Sequence, residues 1–552
     1  MKGDRPDSTR KTFRQMLRRC GAIGAMTLLA GALVACGGGD DGDSGSNASP
    51  ATTAAETARG GSLRGAMSSE IRGFDVQRYY DTQSVTVADL VYSRLLRLDP
   101  ADATKLLPDL ATEVPSPEEG GRVWTFPLRD DATFHDGSPV TAADVKFSIE
   151  RLVKPSTKSE GAAYYTGMID AIEAVDDHTV RFELSGPRAD FAPLMSLWLA
   201  SIYPAGTKTK EQNEQPIGSG PFRVESYAPG REIKFARYEE YYGADDINLD
   251  GITLKLGVDP DTAILQIDGG ELDVLTDEVP AAAYGKLHND SAKQEQLAEG
   301  LVDDVYYLTL NAVDDSDLFA TPEARRAIHM AIDKERILQQ LQGRGEVADG
   351  FWSPKSRYHD PDFPATEHDP ESAKKMLADA GLAGATVELI VPSNGSALAG
   401  LGPSVLQDLE QVGLRPKLRT LDFAAWLGET MKPGAIVPNG WPMDVPHGSF
   451  VVSAALTEAT KEAAVADGAC CNFSRWASAE VDRLNEEGIA ATDEATEVSA
   501  YQEIMRITMG EEALWVPLIW PKRVYYHAPG VQGMVVSTNT AALLLSRLAL
   551  SE

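Results

Sequence analysis

The chain has 552 residues, too many for one compact core, and its 43% hydrophobic and 24% charged residues are ordinary for a soluble globular protein of two or three domains. Against 51 Lys and Arg stand 83 Asp and Glu, a formal charge of −32. Such a surface repels nucleic acid and anionic lipid headgroups, which excludes a polyanion-binding role.

Residues 1–35 have the form of an export signal. Arg10, Lys11, Arg14, Arg18 and Arg19 make a positive segment, and the uncharged run Gly21–Ala35 that follows is shorter than the roughly 20 apolar residues a spanning helix needs. The run stops at Leu33-Val-Ala-Cys36, which matches the lipobox of bacterial lipoproteins. Cys36 is therefore the expected lipidation site, and membrane attachment is expected through that anchor alone, outside the cytoplasmic membrane. Arg18-Arg19 leaves Sec and twin-arginine export both open. Residues 36–61 are mostly Gly, Ser, Asp, Ala and Thr, a flexible tether with a span of roughly 25–30 Å. Cys20 lies in the signal. Cys470 and Cys471 are adjacent and form either a strained vicinal bridge or two thiols. No Cys/His metal spacing is present.

In the body, Ser62 to Asp75 reads as a short strand followed by a polar turn at Ser68–Glu70. Val87, Leu90, Val91 and Leu95 have helical spacing. Arg122–Leu128 alternates, which places Trp124, Phe126 and Leu128 on one face of a strand. Phe134-His-Asp-Gly137 is a turn in which His135 is structural. Thr141, with Asp144 three residues on, caps a helix whose face carries Val145, Ile149 and Leu152. Thr321 and Pro322 start another, with Ala327, Ile328, Ala331 and Ile332 as its buried stripe. Gly343–Ala348 fits a dinucleotide fingerprint only superficially, because it follows a helical segment, and it reads as a loop. There is no phosphate loop, no nucleophile elbow and no His-x-x-x-His pair. No catalytic constellation, cofactor or metal of the protein's own is expected.

One carboxylate stands out. Between Lys432 and Lys461 there is no Lys or Arg, so Asp444, within Gly440–Phe450, has no local counter-charge. It either bonds its own backbone in a Pro-flanked turn or is buried. A buried carboxylate needs a partner from elsewhere in the chain or a cationic ligand.

Five ordered motifs carry a family resemblance. They are Pro108-Asp-Leu-Ala-Thr-Glu113 with Trp124–Arg129; Phe134–Gly137 with Thr141-Ala-Ala-Asp-Val145; Pro216-Ile-Gly-Ser-Gly-Pro-Phe222 leading to Tyr241-Tyr242; Pro322–Asp333; and His368–Gly381. In order and spacing the chain resembles the peptide-type, family 5, solute-binding proteins, the extracytoplasmic receptors of ATP-driven importers. The resemblance implies an α/β, bilobal periplasmic-binding-protein-like fold of three mixed α/β domains with a hinge between lobes. Lobe I would comprise 62–82, 216–305 and 512–552, with 83–215 as a second domain on it, and 306–511 would form lobe II.

The same resemblance implies the site. Gly440-Trp-Pro-Met-Asp444 matches the segment in which family members hold a ligand's α-ammonium on an Asp. Trp441 would form an apolar wall, Glu70 would reach the cleft, and Tyr165, with Tyr164, would approach from the second domain. His447 raises a metal-chelate cargo, since nickel carriers of the family use a His near this loop. Val445-Pro446-His447-Gly448 departs from the continuation usual in peptide binders. The expected function is a monomeric, lipid-anchored receptor that captures a peptide or other amine-bearing small ligand and delivers it to the membrane subunits of an ABC permease. Metal chelates, oligosaccharides and opines are the alternative cargoes. A lipid-anchored hydrolase and an extracytoplasmic holdase are the alternatives of other classes.

Overall fold

Strand β1 (Ser62–Met67) buries Leu63, Ala66 and Met67 and begins the first body. The computed structural model describes residues 59–551 except 311–317, 394–396, 423–424, 427–428, 430–433, 468–470 and 540–541. The signal segment, Cys36, most of the tether and Cys470 lie outside the described residues. Cys471 is disulfide-bonded. No helix among the described residues is long and apolar enough to cross a membrane.

After β1 the chain enters the helix Thr82–Val91, whose cap Asp81 accepts a hydrogen bond from the Ser84 N–H at 2.8 Å. A second domain follows. It comprises the hairpin β2 (Leu96–Asp99) and β3 (Asp102–Pro108), then β4 (Val123–Pro127), β5 (Ile169–Asp176) and β6 (Thr179–Leu184) in the antiparallel order β4-β6-β5. Trp124, Phe126 and Leu128 are buried on one face, as their alternation requires, with Phe182 and Phe191 edge-on against Phe126. The helix Ala142–Val153 adds Val145, Ile149 and Leu152 to that core. The Asp144 carboxylate accepts from the Thr141 N–H at 2.8 Å and its hydroxyl at 2.7 Å.

The return at Pro216–Phe222 shows why this turn is glycine-rich. A Cβ on Gly218 would stand 1.9 Å from the Val91 carbonyl oxygen, and one on Gly220 would stand 2.6 Å from the Val91 carbonyl carbon. The turn is laid directly on the end of the helix Thr82–Val91. His135 braces it: its backbone N–H donates to Gly218 O at 2.8 Å, and its Nε2 lies 3.0 Å from Gly220 O. Burial pushes the His135 pKa down to about 4, so the ring is neutral and structural. Strands β7 (Phe222–Ala228), β8 (Glu232–Arg237), β9 (Gly251–Leu256) and β10 (Val274–Leu275) complete a five-stranded sheet in the order β10-β1-β9-β8-β7. β1 runs parallel to both its neighbours, β9 and β10.

The second body holds a seven-stranded sheet. Its strands are β11 (Leu297–Leu301), β12 (Asp304–Leu310), β13 (Gly345–Val347), β14 (Thr386–Pro392), β15 (Arg415–Leu421), β16 (Ala435–Pro442) and β17 (Trp515–Tyr526). The order is β11-β17-β12-β16-β14-β15, with β13 also on β17. The expected division of the chain shifts here. Residues 512–526 and 297–305 were expected with lobe I, yet β17, β11 and β12 all pair within this second sheet. The reason is burial: β17 is buried along nearly its whole length, which an interior strand satisfies and an edge does not. The end of β17 touches the first core through Tyr525, and the later segment joins it through Val531, Leu543, Leu545 and Leu548.

The loop expected over Gly343–Ala348 is likewise half strand. Gly345, at φ +149°, pairs with Pro521, and a Cβ there would stand 2.6 Å from Trp520 O. The helices Pro322–Ala331 and Pro370–Asp379 occur as read, the first capped by Thr321 and the second followed by Gly381 at φ +75°.

A buried ion pair joins β1's connection to the second domain. Arg151 donates to both carboxylate oxygens of Asp75, to Gln77 Oε1 at 2.5 Å and to Thr209 Oγ1 at 2.9 Å. Asp75 is fully buried and also accepts from the Tyr203 hydroxyl at 3.3 Å. Removing one partner leaves an uncompensated interior charge. Asp75→Ala is expected to cost about 3–5 kcal/mol in urea unfolding; a loss below about 1 kcal/mol, the scale of a surface pair, would contradict this account.

Candidate functional site

Strand β16 lies between β12 and β14, with Trp441 opposite Val305 and Pro442 opposite Asp304. Pro442 ends the pairing, since it has no N–H to give to a ladder. The next residues cross to the first body. Met443 still packs in the second body, where its N–H donates to Asp303 O at 3.1 Å; Asn539 Nδ2 donates to Met443 O at 2.8 Å, and Val445 is buried within the first body's core. This places Asp444 at the seam between the bodies.

At the seam, Asp444 Oδ2 accepts a hydrogen bond from the Tyr80 hydroxyl at 2.8 Å. Aromatic rings surround the pair. Tyr80 lies 4.7 Å from Trp198 and 6.0 Å from Tyr164, Tyr164 lies 5.4 Å from Phe450, and Phe450 lies 6.3 Å from Trp441. The Trp441 Nε1 is buried without an acceptor. Among the described residues Asp444 forms no ion pair within 4.0 Å, and its Oδ1 accepts no hydrogen bond. Part of its side chain still reaches solvent, although protein surrounds it as densely as an interior group. That burial pushes its pKa up to about 7. The Tyr80 hydrogen bond and Arg523 oppose the shift, and the neighbouring charge of Asp304 adds to it.

Behind Asp444 the acids outnumber the bases. Arg523 donates to Asp304 at 2.8 Å and lies 3.4 Å from Glu278. Asp303 accepts from the Ser353 hydroxyl at 2.8 Å, and burial, with the charge of Asp304, pushes its pKa up to about 7. Three carboxyl groups, Glu278, Asp304 and Asp444, thus act on Arg523, with Arg344 near Glu278 and Asp303 beside Asp304. A cation arriving at Asp444 would relieve this imbalance.

Of the residues singled out in the sequence, the structure brings Asp444 and Trp441 together. Glu70 is exposed, and its contact is the Tyr227 hydroxyl at 3.5 Å, on the first body's sheet. Tyr165 is core: it is fully buried and its hydroxyl donates to Leu194 O at 2.8 Å. Its neighbour Tyr164 faces the seam instead. His447 lies behind the loop. Its Nδ1 accepts from the Ser449 N–H at 3.2 Å, its Nε2 is 3.5 Å from Glu497, and burial lowers its pKa. Among the described residues no three His, Cys, Asp or Glu side chains are grouped to hold a metal ion.

Sequence reasoning missed Tyr80, Trp198, Phe450 and Asp190. Tyr80 and Asp444 are 364 positions apart, and no local pattern marks such a pair. Asp190 accepts from the Ser449 hydroxyl at 3.0 Å and is held by Arg188 at 2.6 Å. Burial acts against its charge, but Arg188 and these hydrogen bonds prevail and lower its pKa. Alongside, the Ala189 N–H donates to Ile489 O at 2.7 Å, and Arg357 donates to Thr104 O at 2.8 Å. These contacts hold the second body against the second domain.

Residues 105–462 match the model of the bacterial extracellular solute-binding proteins, family 5. A probable di/tripeptide-binding protein 5 of Pseudomonas aeruginosa is 28% identical over 502 residues, covering 84% of this chain and 91% of that protein. The structure of DppA from Helicobacter pylori in complex with the peptide STSA superposes with a TM-score of 0.72 at 22% identity, over 90% of this chain and 99% of that one. AgaA from A. tumefaciens in complex with agropinic acid superposes with a TM-score of 0.71 at 24% identity, over 89% and 99%. The fold is therefore the α/β bilobal fold of periplasmic binding proteins.

The raised pKa of Asp444 has a measurable sign. Its ordinary value is near 3.8 and its folded value about 7, so between these the folded state binds the proton that the unfolded state has released. Its contribution to stability is full below the lower value and is lost as the pH rises through the upper one. Asp444→Asn removes this titration. The variant is therefore expected to gain stability relative to the parent as the pH rises from about 4 to 7, measured by urea unfolding across that range. A stability difference that does not change with pH would contradict it.

Proposed function

Because the chain belongs to the family 5 bacterial extracellular solute-binding proteins, we propose that it is a lipid-anchored receptor that captures a peptide or other amine-bearing small solute at Asp444 and presents it to an ABC permease. The family is one of transport receptors, the relative described above is a probable di/tripeptide-binding protein by name, and the H. pylori structure holds the peptide STSA. The observation that carries the reading is Asp444 itself. It is a carboxylate at the meeting of two lobes, with one oxygen on Tyr80 and the other without a hydrogen-bond donor among the described residues.

An ammonium group placed against Oδ1 would supply the missing counter-charge through a charge-assisted hydrogen bond. The rings of Tyr80, Tyr164, Trp198, Trp441 and Phe450 would cover the adjoining carbon atoms and attract the cation's charge. A ligand touching both Tyr80 of one lobe and Asp444 of the other binds fully only when the lobes are together, so binding favours closure. AgaA, which has the same fold, was solved with agropinic acid, a cargo that is not a peptide.

Calorimetric titration of the purified protein with di- and tripeptides tests the reading. Asp444→Asn is expected to weaken free-amine peptides by about tenfold to a hundredfold, while N-acetylated peptides distinguish little between variant and parent. Equal affinity of variant and parent for free-amine peptides would overturn the ammonium clamp. Mass spectrometry of the same mixtures is expected to recover the peptides intact; cleavage products would favour the hydrolase reading. For the anchor, Cys36→Ser is expected to move the protein from the membrane to the soluble extracytoplasmic fraction and to abolish labelling by a fatty-acid analogue. Retained labelling would rule out Cys36 as the modified residue.

A further inference from the structure

A cavity of opposite character to the Asp444 site lies on the first body, and Asp444 does not line it. It has a volume of about 260 Å³ and is lined by Arg94, Arg97, Arg129 and Arg547 together with Tyr241 and Tyr242. Its walls come from three separate parts of the chain: the second domain, the turn after β8, and the segment that returns after β17. In a chain of −32, four guanidinium groups around one cavity are a marked local reversal of sign.

Only one of the four is satisfied by the protein. Arg129 donates to both carboxylate oxygens of Asp131, at 2.5 and 3.0 Å, and lies 3.8 Å over the ring of Tyr242. Among the described residues Arg94, Arg97 and Arg547 form no ion pair within 4.0 Å and donate no guanidinium hydrogen bond. The Arg94 Nε is buried with no acceptor.

The acids that share the cavity are already engaged or stand at its edge. Asp89 accepts from the Ser546 N–H at 3.2 Å and its hydroxyl at 3.0 Å, and the charges of Arg94 and Arg547 reach it only from a distance. Asp109 accepts from the Arg94 N–H at 2.8 Å and from the Tyr242 hydroxyl. Asp246 is exposed at the rim. A buried guanidinium donor without an acceptor is unfavourable, and planar guanidinium forks match carboxylate and phosphate oxygens.

We propose that this cavity is an oxyanion site, in which Arg94, Arg97 and Arg547 hold a phosphate or carboxylate group of a small molecule beside the Tyr241 ring. It is separate from the cationic-ligand site in place and in charge, and it does not depend on the reading of Asp444. An anion bound there would tie together the second domain, the turn after β8 and the segment that returns after β17. It would therefore stabilise the first lobe by mass action.

The test is calorimetric titration of the purified protein, at constant ionic strength in chloride, with inorganic phosphate in one arm and succinate and citrate in the other. Saturable binding in at least one arm is expected, and the arm that binds identifies the oxyanion. The doubly substituted Arg94→Gln/Arg547→Gln protein is expected to bind that anion at least about tenfold more weakly, a loss of about 1.4 kcal/mol. Arg97→Gln, which leaves both of those residues in place, is expected to weaken it in the same direction should the double variant fail to fold. Free-amine peptide affinity is expected to be unchanged in either variant. No saturable binding in either arm, or unchanged affinity in the folded variants, overturns the proposal.

Discussion

A carboxylate held where two lobes meet, with no cation of the chain beside it, is the constraint around which the rest is arranged. Asp444 cannot move far. The strand before it is paired with β12 up to Pro442, and Val445 after it is fixed in the core of the opposite body. It cannot be fully neutralised either, because Arg523, the nearest base to act on it, is already paired with Asp304 and near Glu278. What the chain supplies is one hydroxyl, from Tyr80, and a wall of aromatic rings. A site held this way is preorganised for a cation, since the unfavourable burial of the anion is already present before the ligand arrives.

The contacts that join the lobes divide into two kinds. Ser449 with Asp190, Ala189 with Ile489 and Arg357 with Thr104 are protein–protein bonds at the second domain's edge. They bring the lobes into register without any ligand. Tyr80 and Asp444 also bond across the seam, and a ligand cation can augment that bond. The two classes of contact allow closure to be both available and ligand-sensitive, because only the difference a ligand makes between open and closed states shifts the balance. His447 backs the first kind, since its ring is committed to Ser449, which bonds Asp190, and to Glu497 and Tyr501 behind the loop.

Much of the scaffold is legible in the sequence because it depends on near neighbours. The alternation of Trp124, Phe126 and Leu128, the Thr141–Asp144 cap and the Thr321-Pro322 helix start each involve residues within one element, and the structure has them as read. The glycines of Pro216–Phe222 carry a further clue, since two glycines so close mark a backbone approach, here onto Val91. Where the reading slipped, distance along the chain was the cause. Trp515–Tyr526 looks like any buried strand, and nothing within it says which sheet it completes. Tyr164 and Tyr165 are adjacent aromatics of equal standing until the turn decides which one faces the seam and which one enters the core.

By itself, the sequence determined the α/β bilobal family through its resemblance to the family 5 receptors, and the solitary charge of Asp444 with Trp441 beside it, because ordered motifs and the absence of nearby bases are properties of the chain read locally. Only the tertiary structure decided what Asp444 faces. Tyr80 comes to it from 364 positions away, Glu70 goes elsewhere, Tyr165 turns inward, and four arginines from distant segments gather around a cavity. Those outcomes depend on how separate elements pack. Packing is set by the summed burial of whole faces rather than by any residue's immediate neighbours.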